Sequence, residues 1–132
     1  NPHHSLDLWT HTRSVVDNCK NSDYITRLSA FFHDIGKPST QSIDEVTGFY
    51  HYYKHEVIGA KMTKDILDRL KFTNEEKDSI TKFVENHMTF HRSETDKTIR
   101  KMVHNIGKDN TRRLAELSFA DDEGKFKENR HN

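Results

Sequence analysis

The sequence predicts an all-α protein, an irregular bundle of about six helices folded as one domain over residues 1–132. Three observations predict it. Apolar residues recur at 3.6-residue spacing, and no convincing alternation marks a strand. The chain has only two prolines and five glycines, and Gly36, Pro38, Gly107 and Gly124 fall where segments should break. A length of 132 residues and a mass of 15.6 kDa suit a single compact domain.

The first helix is expected from about Leu6 to Lys20, with Leu8, Thr12, Val15, Val16 and Cys19 on its inner stripe. The second spans about Asp23 to Ile35, with Tyr24, Ile25, Leu28, Phe31, Phe32 and Ile35 inward. Gly36 and Pro38 then stop it, as a glycine past the last turn and a following proline should. Residues 38–53 read as a polar loop that turns aromatic from Phe49 to Tyr53, long for so small a domain and therefore a place to look for function. The third helix starts near His55 and ends near Leu70, on a stripe of Ile58, Met62, Ile66 and Leu70. Thr73 and Glu76 form a capping-box signature for the fourth, which carries Ile80, Phe83, Val84 and His87 on one face. Ser93 or Thr95 caps the fifth, with Ile99, Met102, Val103 and Ile106 buried and Gly107 at its end. The sixth runs from about Asn110 past Ala120, with Leu114, Leu117 and Ser118 inward, and Gly124 closes it.

Composition narrows the function. Leu, Ile, Val and Phe make up about a fifth of the chain, just above the roughly 20 % below which disorder is expected. The 21 cationic and 21 anionic side chains cancel, which suits a folded domain and not a non-specific nucleic-acid binder. No apolar run approaches the ~20 residues of a membrane helix. The single cysteine, Cys19, excludes an internal disulfide framework and a thiolate zinc knuckle; one free thiol is compatible with a reducing cytoplasm. The first residue is Asn1 and not Met, so the chain is expected to be processed or cut from a longer protein.

Ten histidines are a large excess. His3, His4 and His131 lie near the ends, but seven are internal, and three of these fall on apolar stripes. His11 is three residues after Leu8 and four before Val15. His87 is four after Phe83 and three after Val84. His55 shares a face with Ile58 and Met62, and Asp121 follows Leu114 by seven and Leu117 by four, while Asp122 is turned about 100° away. Buried, unpaired carboxylates and imidazoliums are costly, so four inward polar groups on four helices imply a common partner, and a divalent metal fits. His33-Asp34 adds two more candidates. Neighbours on a helix point about 100° apart and converge on one ion only at a helix end or distorted turn, which the Gly36 and Pro38 stop provides. Imidazole and carboxylate ligands suit Mn, Fe, Co, Ni or Zn, with Mg less suited to several imidazoles.

The order His11, His33-Asp34, Asp121 resembles the HD superfamily of metal-dependent phosphohydrolases, which are all-helical. The longer blocks Asp7–Thr12, Phe32–Pro38, His51–Ala60, Leu70–Glu76, Val84–Met88 and Ala120–Gly124 are similar to the HD domain of bacterial CCA-adding tRNA nucleotidyltransferases and the related poly(A) polymerases. The resemblance covers nearly the whole chain. Those enzymes carry a nucleotidyltransferase head before the HD region. Nothing in residues 1–132 matches that head, so the resemblance implies an excised domain or a stand-alone relative that does not add nucleotides. One position departs from the pattern: the residue before His55 is usually glycine in that family, and here it is Lys54.

The resemblance implies a first metal site from His11, His33, Asp34 and Asp121. It implies that Asp34 bridges to a second ion held by His55 and His87, with His91, one helical turn on, a further candidate. Two ions are expected. Lys37 is placed either to pair with a phosphate oxygen in the transition state or to rest as a solvated lysine at a helix C-terminus. His51, Tyr52 and Tyr53 either stack on a base or ribose or fill the core. Arg112 and Arg113 are read as a solvated face, with phosphate contact as the lesser reading. The expected activity is metal-dependent hydrolysis of a nucleotide or RNA-end phosphate, with a 2′,3′-cyclic phosphate and a nucleoside monophosphate as leading substrates and tRNA as a possible partner. The alternative is a domain of a tRNA nucleotidyltransferase that contacts RNA or supports structure without its own turnover. A (p)ppGpp hydrolase is disfavoured, because Lys37-Pro38 stands where an acidic pair would follow His-Asp. A cyclic-dinucleotide hydrolase would carry further motif residues that are not found.

Overall fold

The computed structural model describes residues 4–92 and 94–130, so His3, His131 and the alternative cap Ser93 lie outside the described residues. Helix α1 (His4–Asn18) leads into α2 (Tyr24–Phe32), a one-turn α3 (Lys37–Thr40) and a hairpin of β1 (Gln41–Ile43) and β2 (Tyr50–Tyr52). Then come α4 (His55–Arg69), α5 (Asn74–Asn86), a 3₁₀ turn (Thr89–His91), α6 (Asp96–Ile106) and α7 (Lys108–Arg130). The six longer helices are those the sequence predicts, and the all-α expectation holds apart from the hairpin.

The caps explain where several helices begin. Asp23 accepts from the Thr26 N–H at 2.9 Å and starts α2. Thr73 and Glu76 form the expected reciprocal box on α5, at 3.1 and 2.9 Å. Thr95, not Ser93, is the cap of α6 that is described, accepting from the Thr98 N–H at 3.2 Å. Gly107, at φ +87°, is the single residue between α6 and α7, so the last helix starts two residues before Asn110. Gly124 does not close α7, which continues to Arg130. A glycine inside a helix costs only ~1 kcal/mol and ends one only where the chain turns left-handed.

Two hydrophobic clusters meet on α2. One joins α1, α2, α6 and α7 around Val15, Cys19, Leu114 and Leu117; the other joins α2, α4 and α5 around Phe32, Leu67, Ile80 and Phe83. The inner face of α4 is rotated from the expected Ile58–Met62–Ile66–Leu70 stripe. Gly59, Ala60, Thr63 and Leu67 are buried, the first three expected stripe positions are half-buried, and Leu70 is exposed. Thr63 escapes the cost of a buried hydroxyl by donating to the Gly59 carbonyl at 2.7 Å. Tyr24 and Phe31 are exposed as well. Tyr24 donates to Glu76 Oε2 at 2.9 Å, and Phe31 meets Trp9 edge-on at 6.3 Å.

The expected loop contains structure. Gln41, Ser42 and Ile43 pair antiparallel with Tyr52, His51 and Tyr50. Asp44 closes the turn by accepting from the Val46 and Thr47 N–H groups at 2.8 and 3.2 Å. Three-residue strands whose outer member is wholly exposed leave no alternation to read in sequence. The role expected of Gly36 changes too. Its φ of −80° is ordinary for any residue. What demands glycine is proximity: a Cβ there would lie 2.3 Å from the His55 carbonyl oxygen and 2.7 Å from the Gly59 nitrogen. The turn after α2 is thereby pressed directly onto the start of α4.

Candidate metal centre

Six side chains from five elements meet at the seam between the two clusters. Helix α2 ends at Phe32, so His33 is its C-cap and Asp34 lies in the following turn. That break lets the two neighbours converge. His11 comes from α1, Asp121 from α7, His55 is the first residue of α4, and His87 is the C-cap of α5. All six are buried.

Asp34 organises the group by dividing its two oxygens. Oδ2 faces His33 Nε2 at 3.1 Å and His11 Nε2 at 3.8 Å. Oδ1 faces His55 Nε2 at 3.4 Å and His87 Nε2 at 3.5 Å. Asp121 Oδ1 completes the first set, 2.6 Å from His11 Nε2 and 3.5 Å from His33 Nε2. The sets His11, His33, Asp34, Asp121 and Asp34, His55, His87 each bring ligand atoms within 4.8 Å of one another.

The backbone fixes which nitrogen each ring presents. His33 Nδ1–H donates to the Ala30 carbonyl, His87 Nδ1–H to that of Val84, both at 2.5 Å, and His55 Nδ1–H to that of Tyr52 at 3.1 Å. Each bond runs three residues back, and the first two use carbonyls that a helix end leaves orphaned. With Nδ1 protonated, Nε2 of a neutral ring carries only a lone pair. Holding the tautomer through the outer N–H is what a metal-ligating histidine requires.

Those lone pairs test whether a cation fits. His55 and His87 aim their Nε2 atoms at each other across 3.1 Å, where two lone pairs repel unless something positive lies between. His33 Nε2 is buried and faces only carboxylate oxygens, Asp34 Oδ2 at 3.1 Å and Asp121 Oδ1 at 3.5 Å. Two ligands ~2.1 Å from one ion stand ~3.0–3.5 Å apart, the spacing most of these pairs show. The chemistry and the spacing both suit a divalent ion in each set.

Charge is tightly coupled here. Burial alone would press the His33 imidazole down, but the Asp34 charge and hydrogen bonds to Asp121 and Asp34 push it up to about 10. Burial would raise the Asp34 carboxyl, yet the His33 charge and bonds from His33, His55 and His87 hold it well below the usual range. Burial would also raise Asp121, and bonds from His11, His33 and His91 hold it far lower. Burial lowers His87, against the pull of Asp34. With no ion bound, a proton on His33 supplies part of the positive charge that the carboxylates call for.

The remaining expected residues fall into two groups. Lys37 Nζ stands 3.4 Å from Asp34 Oδ2 and 5.4 Å above the Tyr52 ring, so it belongs to the centre. His91 turns inward: Nε2 is 3.3 Å from Asp121 Oδ2 and Nδ1 3.4 Å from Asp122 Oδ1. His51 and Tyr53 stack on each other at 5.0 Å and 16°, and His51 faces Asp44 at 3.7 Å. The two rings therefore sit on the hairpin, outside the ligand cluster. Tyr53 is 69 % exposed, so it is not the core aromatic that one of its two sequence readings allowed. Arg113 is not simply solvated, since its Nε donates to Asp23 Oδ2 at 2.6 Å. Sequence reasoning missed Glu56, a buried carboxylate beside His55 that pairs with Arg92 at 3.0 Å. Burial would raise its carboxyl, but the Arg92 hydrogen bond holds it down.

The HD domain family matches residues 3–122. The chain is 33 % identical over 89 residues to the CC-adding tRNA nucleotidyltransferase of Thermus thermophilus, covering 64 % of this chain and 20 % of that one. It is 30 % identical over 105 residues to the A-adding tRNA nucleotidyltransferase of Deinococcus radiodurans, covering 76 % and 24 %. It is 32 % identical over 96 residues to the multifunctional CCA protein of Actinobacillus pleuropneumoniae, covering 68 % and 22 %. The chain thus spans between a fifth and a quarter of these relatives. No described helix is long and apolar enough to cross a membrane.

Proposed function

The chain belongs to the HD domain family, and from that premise we propose that it is a metal-dependent phosphohydrolase acting on the phosphate of a nucleotide or an RNA end. A 2′,3′-cyclic phosphate and a nucleoside monophosphate are the leading substrates, and tRNA is the RNA partner that the relatives suggest. The observation that carries the reading is the division of Asp34, one oxygen toward each histidine set. His11, His33, Asp34 and Asp121 would hold one ion, and Asp34, His55 and His87 a second. Mn, Fe, Co, Ni or Zn suits these ligands.

Bound ions would supply Lewis acidity, lowering the pKa of water from ~15.7 toward ~7 and neutralising phosphoryl oxygens. The chain's own groups do the rest. Asp34 and Asp121 stay ionised at neutral pH and hold the cations. Lys37 Nζ, fixed between Asp34 and the Tyr52 ring, offers a preorganised positive charge to a phosphoryl oxygen as charge builds there. The exposed face of Tyr53, backed by His51, would take a base or ribose by stacking. His91, seated on the outer oxygen of Asp121, would orient that carboxylate.

The test is hydrolysis of a chromogenic phosphodiester and phosphomonoester, and of a 2′,3′-cyclic nucleotide, with Mn, Co or Ni added. The wild-type protein should turn over at least one of them, and Asp34→Ala should lose at least a hundredfold. Equal rates in both would reject the hydrolase. Stoichiometric metal binding without turnover across the panel would favour an RNA-contacting module without its own chemistry.

A further inference from the structure

A third carboxylate lies behind the centre. Glu56 follows His55 at the start of α4 and is only 5 % exposed. Its Oε2 is 3.7 Å from His55 Nδ1, on the opposite edge of the ring from the Nε2 that faces Asp34 and His87. The outer N–H of His55 therefore lies between the Tyr52 carbonyl at 3.1 Å and the Glu56 charge. On the far side of Glu56, Arg92 Nη2 donates to the same Oε2 at 3.0 Å. Arg92 directly follows His91, which reaches Asp121, so the 87–92 segment touches both ligand sets and the carboxylate behind them. Holding a buried carboxylate beside a histidine is costly unless its charge is used, and a single half-exposed guanidinium supplies only part of the compensation.

We propose that Glu56 is a positioning residue for the second ion, its charge beside Nδ1 supporting, with the Tyr52 carbonyl, the ligating tautomer of His55 and raising the electron density at Nε2. The inference rests on the two-ion reading above. Loss of an outer carboxylate partner weakens metal binding ~10–100-fold.

The experiment is titration with Mn²⁺ alone, followed by calorimetry and by electron paramagnetic resonance, on wild type, Glu56→Gln and Arg92→Gln, with melting curves to establish folding. Wild type should take up two ions and show the coupled spectrum of a bridged pair. Glu56→Gln should weaken one binding event at least tenfold, leave the other within about threefold, and show an uncoupled spectrum at equal Mn²⁺. Arg92→Gln keeps the carboxylate and should keep both events within about threefold. A folded Glu56→Gln with two wild-type events overturns the inference while leaving the centre intact. Equal losses in both variants also overturn it, since they reduce the pair to a scaffold. If Glu56→Gln does not fold, a tenfold loss in Arg92→Gln overturns it and retention supports it. Failure of wild type to bind Mn²⁺ removes the centre and the inference together.

Discussion

Replacing Gly36 with alanine probes the joint on which the centre depends. The added Cβ would stand 2.3 Å from the His55 carbonyl oxygen, 2.7 Å from the Gly59 nitrogen and 3.0 Å from the Gly59 Cα. All three are backbone atoms, so no side chain can swing aside. Restoring even 3.0 Å to the oxygen moves the turn or α4 by about 0.7 Å, well beyond the ~0.2 Å tolerance of a ligand distance. His55 is the first residue of α4, and His33 and Asp34 lie three and two residues before Gly36, so the displacement falls between the proposed ligands. Overpacking of this kind costs ~1–3 kcal/mol. In a domain of this size that is a melting temperature lower by ~3–12 °C. The assay pairs melting curves with metal content after dialysis against Mn²⁺. Gly36→Ala should melt lower and lose the ion shared by Asp34, His55 and His87. Gly48→Ala is the control: its φ of +75° brings local strain, but nothing lies within 4 Å of the new Cβ, so metal content should not change. A Gly36→Ala protein with wild-type melting and full metal content would refute the claim that this contact registers the ligands.

Other predictions follow from single features. Lys54 sits at φ +60° as the N-cap of α4, a left-handed position that costs a residue with a Cβ ~1–2 kcal/mol, offset in part by ~0.4–1 kcal/mol of unfolded-chain entropy, so Lys54→Gly should stabilise by about 0.5–1 kcal/mol in a denaturant titration. Thr73→Ala removes half of the capping box on α5 and should cost ~1 kcal/mol without altering metal content. Metal-free protein should be most stable slightly below neutral pH. The His33 contribution is complete below its unfolded value of 6.5 and fades as pH rises toward about 10, the contributions of Asp34 and Asp121 fade as pH falls below 3.8, and keeping His87 neutral costs stability below 6.5. Because an ion must displace the His33 proton, Mn²⁺ affinity should rise by roughly tenfold per pH unit between 6.5 and 9; a flat profile would contradict the proton's place on His33.

The buried polar cluster was legible because chemistry and periodicity disagree at those positions. A histidine or aspartate on an apolar stripe must be buried if the stripe is, and His11, His55, His87 and Asp121 are. His33-Asp34 could be placed at a helix end because Gly36 and Pro38 mark a stop, although the glycine serves a close backbone contact and not a left-handed cap. What hid from the sequence has equally physical causes. The inner face of α4 runs through Gly59 and Thr63, which carry little hydrophobic signal, so the stronger pattern of Ile58, Met62 and Ile66 drew the stripe one position round the helix. Glu56 looks like a solvated charge until Arg92, 36 residues later, is known to reach it. The hairpin is too short for alternation to register, yet its second strand carries the Tyr52 carbonyl that fixes His55.

The most direct test is an anomalous-difference map from crystals soaked in Mn²⁺. The account predicts two peaks flanking the Asp34 carboxylate, one among His11, His33 and Asp121 and the other between His55 and His87. An empty centre after saturation, or density confined to sites that leave Asp34 without a cation, would contradict it.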